Sequence, residues 1–188
     1  MSERPVLWIF AGPNGVGKST LAIDLLEGKD IPNVNPDAIA ASIPRQKDGR
    51  LAESEAGKIA IKTRNEYLKS RCSFAFETTL SGNSELRIMR QARAAGYIVI
   101  LIFIGVDSPL KSASRISQRV QLGGHDVPTE AIERRYNRSM EALKKATILA
   151  DKTIIYDNTK QHVKLAEIES GHVKKISKFP NWLIRLSL

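Results

Sequence analysis

A glycine-rich stretch near the N-terminus has the spacing that a polyphosphate-binding loop requires. It matches the pattern G-x-x-x-x-G-K-[ST] and consists of Gly12, Pro13, Asn14, Gly15, Val16, Gly17, Lys18, Ser19 and Thr20. Glycines let backbone N–H groups turn toward phosphate oxygens, Lys18 can reach the β- and γ-phosphates, and Ser19 can hold Mg²⁺. The stretch therefore predicts a P-loop that binds ATP or GTP together with Mg²⁺.

The predicted elements on either side of this loop support that interpretation. Residues 6–10 are a continuous apolar run typical of a buried parallel strand, and a helix is predicted over residues 18–27. A helix that begins directly after the loop adds the positive end of its dipole to the phosphate site. These flanks favour a phosphate site over the alternative, a glycine turn that only connects two elements.

Asp37 is the first acidic candidate for the site. Asn35 has the residue type of a helix N-cap and Pro36 that of a first helical residue, which places Asp37 in the first turn. In an open α/β sheet the carboxyl ends of neighbouring strands converge on the P-loop. Asp37 is then a general base or a neighbour of Mg²⁺, and the alternative is a carboxylate that only interacts with the helix dipole.

Glu77 and Asp107 each follow an apolar strand, which is the pattern of a Walker B element. Residues 73–76 form the strand before Glu77, whose carboxylate can hold Mg²⁺, while the Thr79 hydroxyl can bond phosphate or substrate oxygens. The alternative for Glu77 and Thr79 is that they only end the strand and begin a turn. Asp107 precedes Ser108, which has the residue type of a helix N-cap. An acidic residue beside a helix start needs no catalytic role to account for it. The sequence therefore favours Glu77 over Asp107.

Two predicted helices joined by a glycine-containing segment have the layout of a mobile lid. The helices are predicted at residues 109–122 and 129–150. Their arginines are Arg115, Arg119, Arg134, Arg135 and Arg138. Arginines of a lid stabilise charge on a phosphoryl group in transfer. The alternative is that they are simply solvated, and His125 in the connecting segment is likewise either solvated or catalytic.

The other predicted elements complete an α/β fold. Strands are predicted at 97–104 and 153–158, helices at 51–70 and 84–95, a hairpin at 162–176 and an aromatic anchor at 179–183. We therefore predict one domain over residues 1–188, a kinase-like P-loop NTPase fold. It is a three-layer sandwich around a mostly parallel sheet, with a lid at about 109–150 and the hairpin and anchor at about 160–188. The loop at Asp157 and Asn158 is a candidate contact of the adenine.

The composition restricts the partners. The 188 residues carry 29 Lys and Arg against 20 Asp and Glu, a formal net charge of +9. This charge suits anionic partners such as nucleotides, phosphorylated sugars, nucleic acid or an acidic protein. Aromatic residues make up only 6% of the chain, which disfavours a stacking platform for nucleic acid. One cysteine, Cys72, and no apolar run approaching a membrane span predict a cytoplasmic protein without membrane contact.

With these motifs in place, the chain resembles the zeta toxin family of bacterial P-loop kinases. The matching stretches are residues 11–20, 33–37, 76–79 and 119–128, the last running on into Arg134-Arg135-Tyr136. The resemblance implies a kinase that uses ATP and Mg²⁺ to phosphorylate the 3′-hydroxyl of the amino sugar in UDP-N-acetylglucosamine. It also implies a toxin that an antitoxin protein holds in check.

The resemblance also assigns roles to individual residues. Lys18 becomes the phosphate lysine, Ser19 the Mg²⁺ ligand and Asp37 the base that takes the proton of the acceptor hydroxyl. Glu77 and Thr79 lie at the substrate or the metal, and Arg119 and Arg134 clamp the phosphates. Either Arg134 or Arg135 could be the second arginine that clamps the phosphates, because neighbouring residues of a helix point about 100° apart and only one of them can face the site. Arg115 is a further candidate.

Two other functions compete with a small-molecule kinase. A nucleic-acid 5′-hydroxyl kinase would keep the chemistry and change the acceptor, and the basic charge favours it. A nucleotide-gated switch or ATPase would use the lid to report bound ATP to a protein partner. Phosphorylation of an acceptor separates both kinases from the switch.

Overall fold

The computed structural model describes residues 3–43, 49–122 and 127–186, without the side chains of residues 49–53. The predicted segment that connects the two lid helices includes residues 123–126, and these residues, His125 among them, lie outside the described ones. The strands are β1 (Val6–Ala11), β2 (Asn33–Val34), β3 (Phe74–Thr78), β4 (Ile98–Gly105), β5 (Lys152–Asp157), β6 (Val163–Glu169) and β7 (His172–Lys175). The helices are α1 (Lys18–Leu26), α2 (Pro36–Ser42), α3 (Gly49–Ser70), α4 (Ser84–Ala94), α5 (Pro109–Gln121), α6 (Thr129–Leu149) and α7 (Asn181–Ile184).

One sheet contains all seven strands, in the order β2-β3-β1-β4-β5-β6-β7. The pairs from β2 to β5 are parallel, whereas β6 is antiparallel to β5 and β7 to β6. The strand that leads into the P-loop, β1, lies between β3 and β4. The chain order reverses at β1, and in open α/β sheets ligands generally bind at the carboxyl ends of the strands beside such a reversal. The predicted α/β fold with a mostly parallel sheet is confirmed.

Helices cover both faces of the sheet, as three layers require. Helices α1, α3, α4 and α6 pack against the parallel strands, and α6 also packs against both α4 and α5. The central strands are apolar throughout, and side chains such as Ile9 and Leu101 are fully buried. Strands buried on both faces need such continuous apolar runs, so the prediction for β1 and β4 is confirmed.

Both predicted N-caps are present. The Asn35 side chain accepts hydrogen bonds from the backbone N–H groups of Asp37 (2.8 Å) and Ala38 (3.3 Å) at the start of α2. Ser108 accepts from the N–H of Lys111 at the start of α5 (3.4 Å). Each cap satisfies orphan donors of a first turn, and the first of them fixes the helix that carries Asp37.

The C-terminal part is attached to the sheet by the predicted hairpin and aromatic anchor. The hairpin forms strands β6 and β7. Trp182 in α7 is buried, its ring lies tilted at 43° to that of Phe103, and its Nε1 donates to Asp157 Oδ1 at 2.7 Å. A Cβ on Gly105 would lie 2.4 Å from the Trp182 ring, so only glycine fits there. Within the described residues, no helix is long and apolar enough to cross a membrane.

Helices α5 and α6, the predicted lid, share a small apolar cluster of their own. Ile116, Val127 and Ile132 are buried there, separately from the main core around the sheet. Tyr136 of α6 joins the pair to the body, because its hydroxyl donates to the Val106 carbonyl at 2.9 Å. The start of α6 therefore packs with α5 in this small cluster, whereas the rest of α6, from Tyr136 to Ala146, belongs to the main core.

Candidate active site

The P-loop runs from the end of β1 to the start of α1 in a conformation that requires glycine. Gly12 and Gly17 have φ values of 143° and 87°. A Cβ on Gly12 would lie 2.1 Å from the Ile104 carbonyl oxygen, which no side chain tolerates. From the other side, Asn158 Nδ2 donates to the Val16 carbonyl at 2.9 Å. The loop is thus held in shape by its neighbours before any ligand arrives.

Lys18 is the electrostatic centre of the site. Its Nζ donates to the carbonyls of Gly12 (3.0 Å) and Pro13 (2.8 Å), so the side chain folds back over the P-loop. Burial lowers the pKa of Lys18 to about 8, against the opposing effects of the carboxylates of Glu77 and Asp37. The cations of Arg119 and Arg135 lower this pKa further. Charges of both signs from four different elements, α2, β3, α5 and α6, therefore act on Lys18.

Ser19 and Glu77 form the second contact of the site. The Ser19 hydroxyl donates to Glu77 Oε2 at 2.6 Å. Glu77 is buried at the end of β3, in register with Phe10 of the neighbouring β1. A hydroxyl and a carboxylate are oxygen ligands of the kind that Mg²⁺ takes together with nucleotide phosphates. The donor set therefore fits Mg²⁺ held by Ser19 and Glu77.

Two asparagines hold the other oxygen of Glu77. Asn33 Nδ2 donates to Glu77 Oε1 at 3.1 Å and Asn35 Nδ2 donates to the same oxygen at 2.8 Å. The role of Asn35 as a cap was predicted, but the contacts of both amides with Glu77 were missed. One signal was present in the sequence: alternate residues at the end of a strand point the same way.

Asp37 and Arg119 face each other across the site. Asp37 Oδ2 lies 3.9 Å from Arg119 Nη1, and their side chains are 73% and 42% exposed. An exposed pair at this distance contributes little to stability, so both groups can exchange it for a ligand. A carboxylate and a guanidinium that both act electrostatically on Lys18 are groups of the kind that a proton acceptor and a phosphate clamp need.

The structure distinguishes the arginines of the lid. Arg135 is half-buried and acts electrostatically on Lys18, whereas its neighbour Arg134 is exposed. The geometry therefore favours Arg135 where Arg134 was the first choice from the sequence, because the rotation of α6 turns only one of them toward the P-loop. Arg115 lies beside the P-loop, its Cβ 3.6 Å from where a Cβ on Gly15 would be, and its Nη2 donates to the Thr159 carbonyl at 3.3 Å.

The Thr79 side chain and the Asp107 backbone are each hydrogen-bonded to a loop residue. The Thr79 hydroxyl is hydrogen-bonded to the Ser81 hydroxyl at 2.8 Å, in the loop after β3. Asp107 lies at the end of β4, where its N–H donates to Thr159 Oγ1 at 3.1 Å. Asp107 lines a separate cavity of about 1280 Å³ between α6 and the C-terminal segment, whose wall also includes Tyr136 and Trp182. Of the two Walker B candidates, Glu77 is the one beside Ser19.

Phosphoryl transfer depends almost entirely on positioning and on neutralising charge, and this site provides both around Lys18. Because the central strand of a parallel sheet leads directly into that loop, the fold and the site together define a P-loop kinase.

The chain belongs to the zeta toxin family, which its sequence matches over residues 1–168. An uncharacterised protein of Haemophilus influenzae is 35% identical over 140 residues, which are 71% of this chain and 99% of that protein. The family resemblance inferred from the motifs is confirmed.

Solved structures share the fold. A chain of the PezAT chromosomal toxin–antitoxin system of Streptococcus pneumoniae is similar at a TM-score of 0.68 and 18% identity, over 86% of this chain and 71% of that one. A chain of the AvrRxo1-ORF1:AvrRxo1-ORF2 complex with ATP is similar at a TM-score of 0.72 and 17% identity. That similarity covers 92% of this chain but 60% of the other, so this chain spans less than two thirds of its length.

Proposed function

We propose that this kinase transfers the γ-phosphoryl group of ATP to a hydroxyl of a nucleotide sugar such as UDP-N-acetylglucosamine. The observation that carries the proposal is the pairing of Asp37 and Arg119, 3.9 Å apart, both of which act electrostatically on the P-loop lysine. An acceptor hydroxyl placed between them would meet a proton acceptor and the γ-phosphate together. Membership of the zeta toxin family supports the choice of acceptor.

In the proposed reaction the acceptor oxygen attacks the γ-phosphorus in line with the leaving ADP. The new O–P bond forms as the bond to the β,γ-bridging oxygen breaks, and Asp37 takes the hydroxyl proton. Lys18, Arg119 and Arg135 neutralise the charge that spreads over the phosphoryl oxygens. Mg²⁺, when bound through Ser19 and Glu77, supplies further neutralisation of the phosphates.

The P-loop residues and the loop after β5 would hold the nucleotide. Backbone N–H groups from Gly12 to Thr20 suit the β- and γ-phosphates, with α1 directing its N-terminus toward them. Asn158 already contacts the P-loop, and the prediction that its loop touches the adenine stays part of this proposal. Thr79, on the same edge of the sheet as Glu77, is proposed to contact the acceptor.

An antitoxin protein is the proposed macromolecular partner. The PezAT chain with the same fold comes from a toxin–antitoxin system, and the net charge of +9 favours an acidic protein partner. We further propose a cytoplasmic location, because ATP and nucleotide sugars are found there. Residues 1–188 are proposed to act as one domain.

A labelling experiment tests the proposed reaction. Purified protein is incubated with Mg²⁺, γ-labelled ATP and a panel of UDP-sugars, other small hydroxyl compounds and 5′-hydroxyl oligonucleotides, and every product is identified by mass. We expect one added phosphate on a UDP-sugar, and none with the Asp37→Asn variant. Label only on the oligonucleotides would replace the proposed acceptor by nucleic acid, and label only as free phosphate would indicate an ATPase switch.

A further inference from the structure

One side chain joins three parts of the site. Asn35 Oδ1 accepts from the N–H groups of Asp37 and Ala38, while its Nδ2 donates to Glu77 Oε1 at 2.8 Å and lies 3.4 Å from Ser19 Oγ. The same amide therefore contacts the helix that carries the proposed base, the acid of the proposed metal site and the serine of the P-loop. These elements are distant in sequence and come together only through the sheet.

We propose that Asn35 is a positioning residue that couples occupation of the Ser19–Glu77 metal site to the placement of Asp37. The proposal rests on the proposed function and extends it to how the base is aligned. A shift of Glu77 toward a bound cation moves the Asn35 amide, and the amide in turn moves the first turn of α2. The base thus reaches its working position when metal and nucleotide are bound.

Capping alone does not account for the choice of residue. Ser, Asp and Asn cap helices about equally well, but only an amide accepts with one atom and donates with another. The contacts also fix the orientation of the amide, because the oxygen must face the N–H groups of α2 and the nitrogen must face Glu77. A serine at this position would retain the cap and lose the reach to Glu77.

Asn33 provides a matched control. Its Nδ2 donates to the same Glu77 oxygen at 3.1 Å, and its side chain contributes no cap to α2. Asn33→Ser therefore removes one hydrogen bond to the metal acid and leaves the connection to Asp37 intact. Asn35→Ser removes a hydrogen bond to the same oxygen and also breaks that connection.

Calorimetry of a non-hydrolysable ATP analogue at a series of Mg²⁺ concentrations tests the metal half of the proposal without any acceptor. For Asn35→Ser we expect the Mg²⁺ concentration for half-maximal binding to rise about tenfold, since a hydrogen bond to a charged group is lost. The double variant Asn35→Ser, Glu77→Ala should differ from Glu77→Ala by less than about twofold, because alanine leaves no acceptor for the Asn35 amide and coupled residues are not additive. Independent, multiplying effects of the two substitutions would overturn the coupling.

Turnover at saturating Mg²⁺ tests the second part of the proposal, that Asn35 places Asp37. Asn33→Ser should regain near wild-type kcat there, whereas Asn35→Ser should stay about tenfold lower with KM for ATP little changed, as expected for a displaced base. Equal kcat for both variants would overturn the connection to the base.

Melting temperatures provide the fold control. Asn35→Ser should melt within a few degrees of the wild type because the cap is kept, and Asn35→Thr supplies a second capping variant with the same expectations should the first fail to fold. A wild-type protein that binds no nucleotide would refute the proposed function and this proposal with it. Nucleotide binding without coupling to Asn35 refutes this proposal alone.

Discussion

ATP binding should weaken above pH 8 because Lys18 loses its charge there. Burial lowers the pKa of Lys18 to about 8, so about half of the free protein carries a neutral amine at that pH. Phosphate oxygens favour the charged amine, so binding must restore the proton. With this pKa the protonated fraction falls about eightfold between pH 7.5 and pH 9, and the ATP affinity should fall by the same factor.

Calorimetry in phosphate and in Tris, which differ in ionisation enthalpy, measures the proton directly. At pH 8 we expect an uptake of about half a proton per ATP bound. Lys18→Arg should take up none, because guanidinium stays charged, and Cys72→Ser should behave as the wild type. An affinity that is constant from pH 7.5 to pH 9, with equal enthalpies in both buffers, contradicts this reasoning.

Three further predictions concern the base, the lid and the anchor. Asp37→Asn should lower turnover by about 10² to 10⁴, the usual contribution of a general base, while the dissociation constant for ATP changes little by calorimetry; turnover near that of the wild type would remove Asp37 from the mechanism. Arg135→Ala should lower kcat by up to about 10³ and raise the pKa of Lys18, since a cation that lowers it is removed; Arg134→Ala should do neither, and the reverse result would restore Arg134 as the clamp. Trp182→Ala should reduce the free energy of unfolding in urea by about 3–5 kcal/mol, against little change for the control Ile184→Ala at a position 60% exposed; equal losses would show that the anchor is not a core contact.

Local patterns were readable from the sequence, and long-range contacts were not. The P-loop and the Asn35 cap each lie within one short segment, so residue type and spacing were enough to predict them. The choice between Arg134 and Arg135 depends on how α6 rotates when Tyr136 packs against the body, which is a tertiary effect. The hydrogen bond from Asn33 to Glu77 spans 44 positions and requires β2, a strand of two residues, to pair with β3. No local pattern contains that pairing.

The surroundings of the two acids separate their roles. Glu77 is buried and already accepts hydrogen bonds from Ser19, Asn33 and Asn35, so its oxygens are fixed in direction and suited to a cation that replaces one of those donors. Among the described residues, Asp37 is held through the backbone of its helix, and its carboxylate is exposed with one distant contact, to Arg119. A base must be reached by an incoming hydroxyl and must have a lone pair ready for the proton. Environment rather than residue type therefore supports the proposal that the exposed acid transfers the proton and the buried acid binds the cation, as in other sites where two carboxylates have different roles.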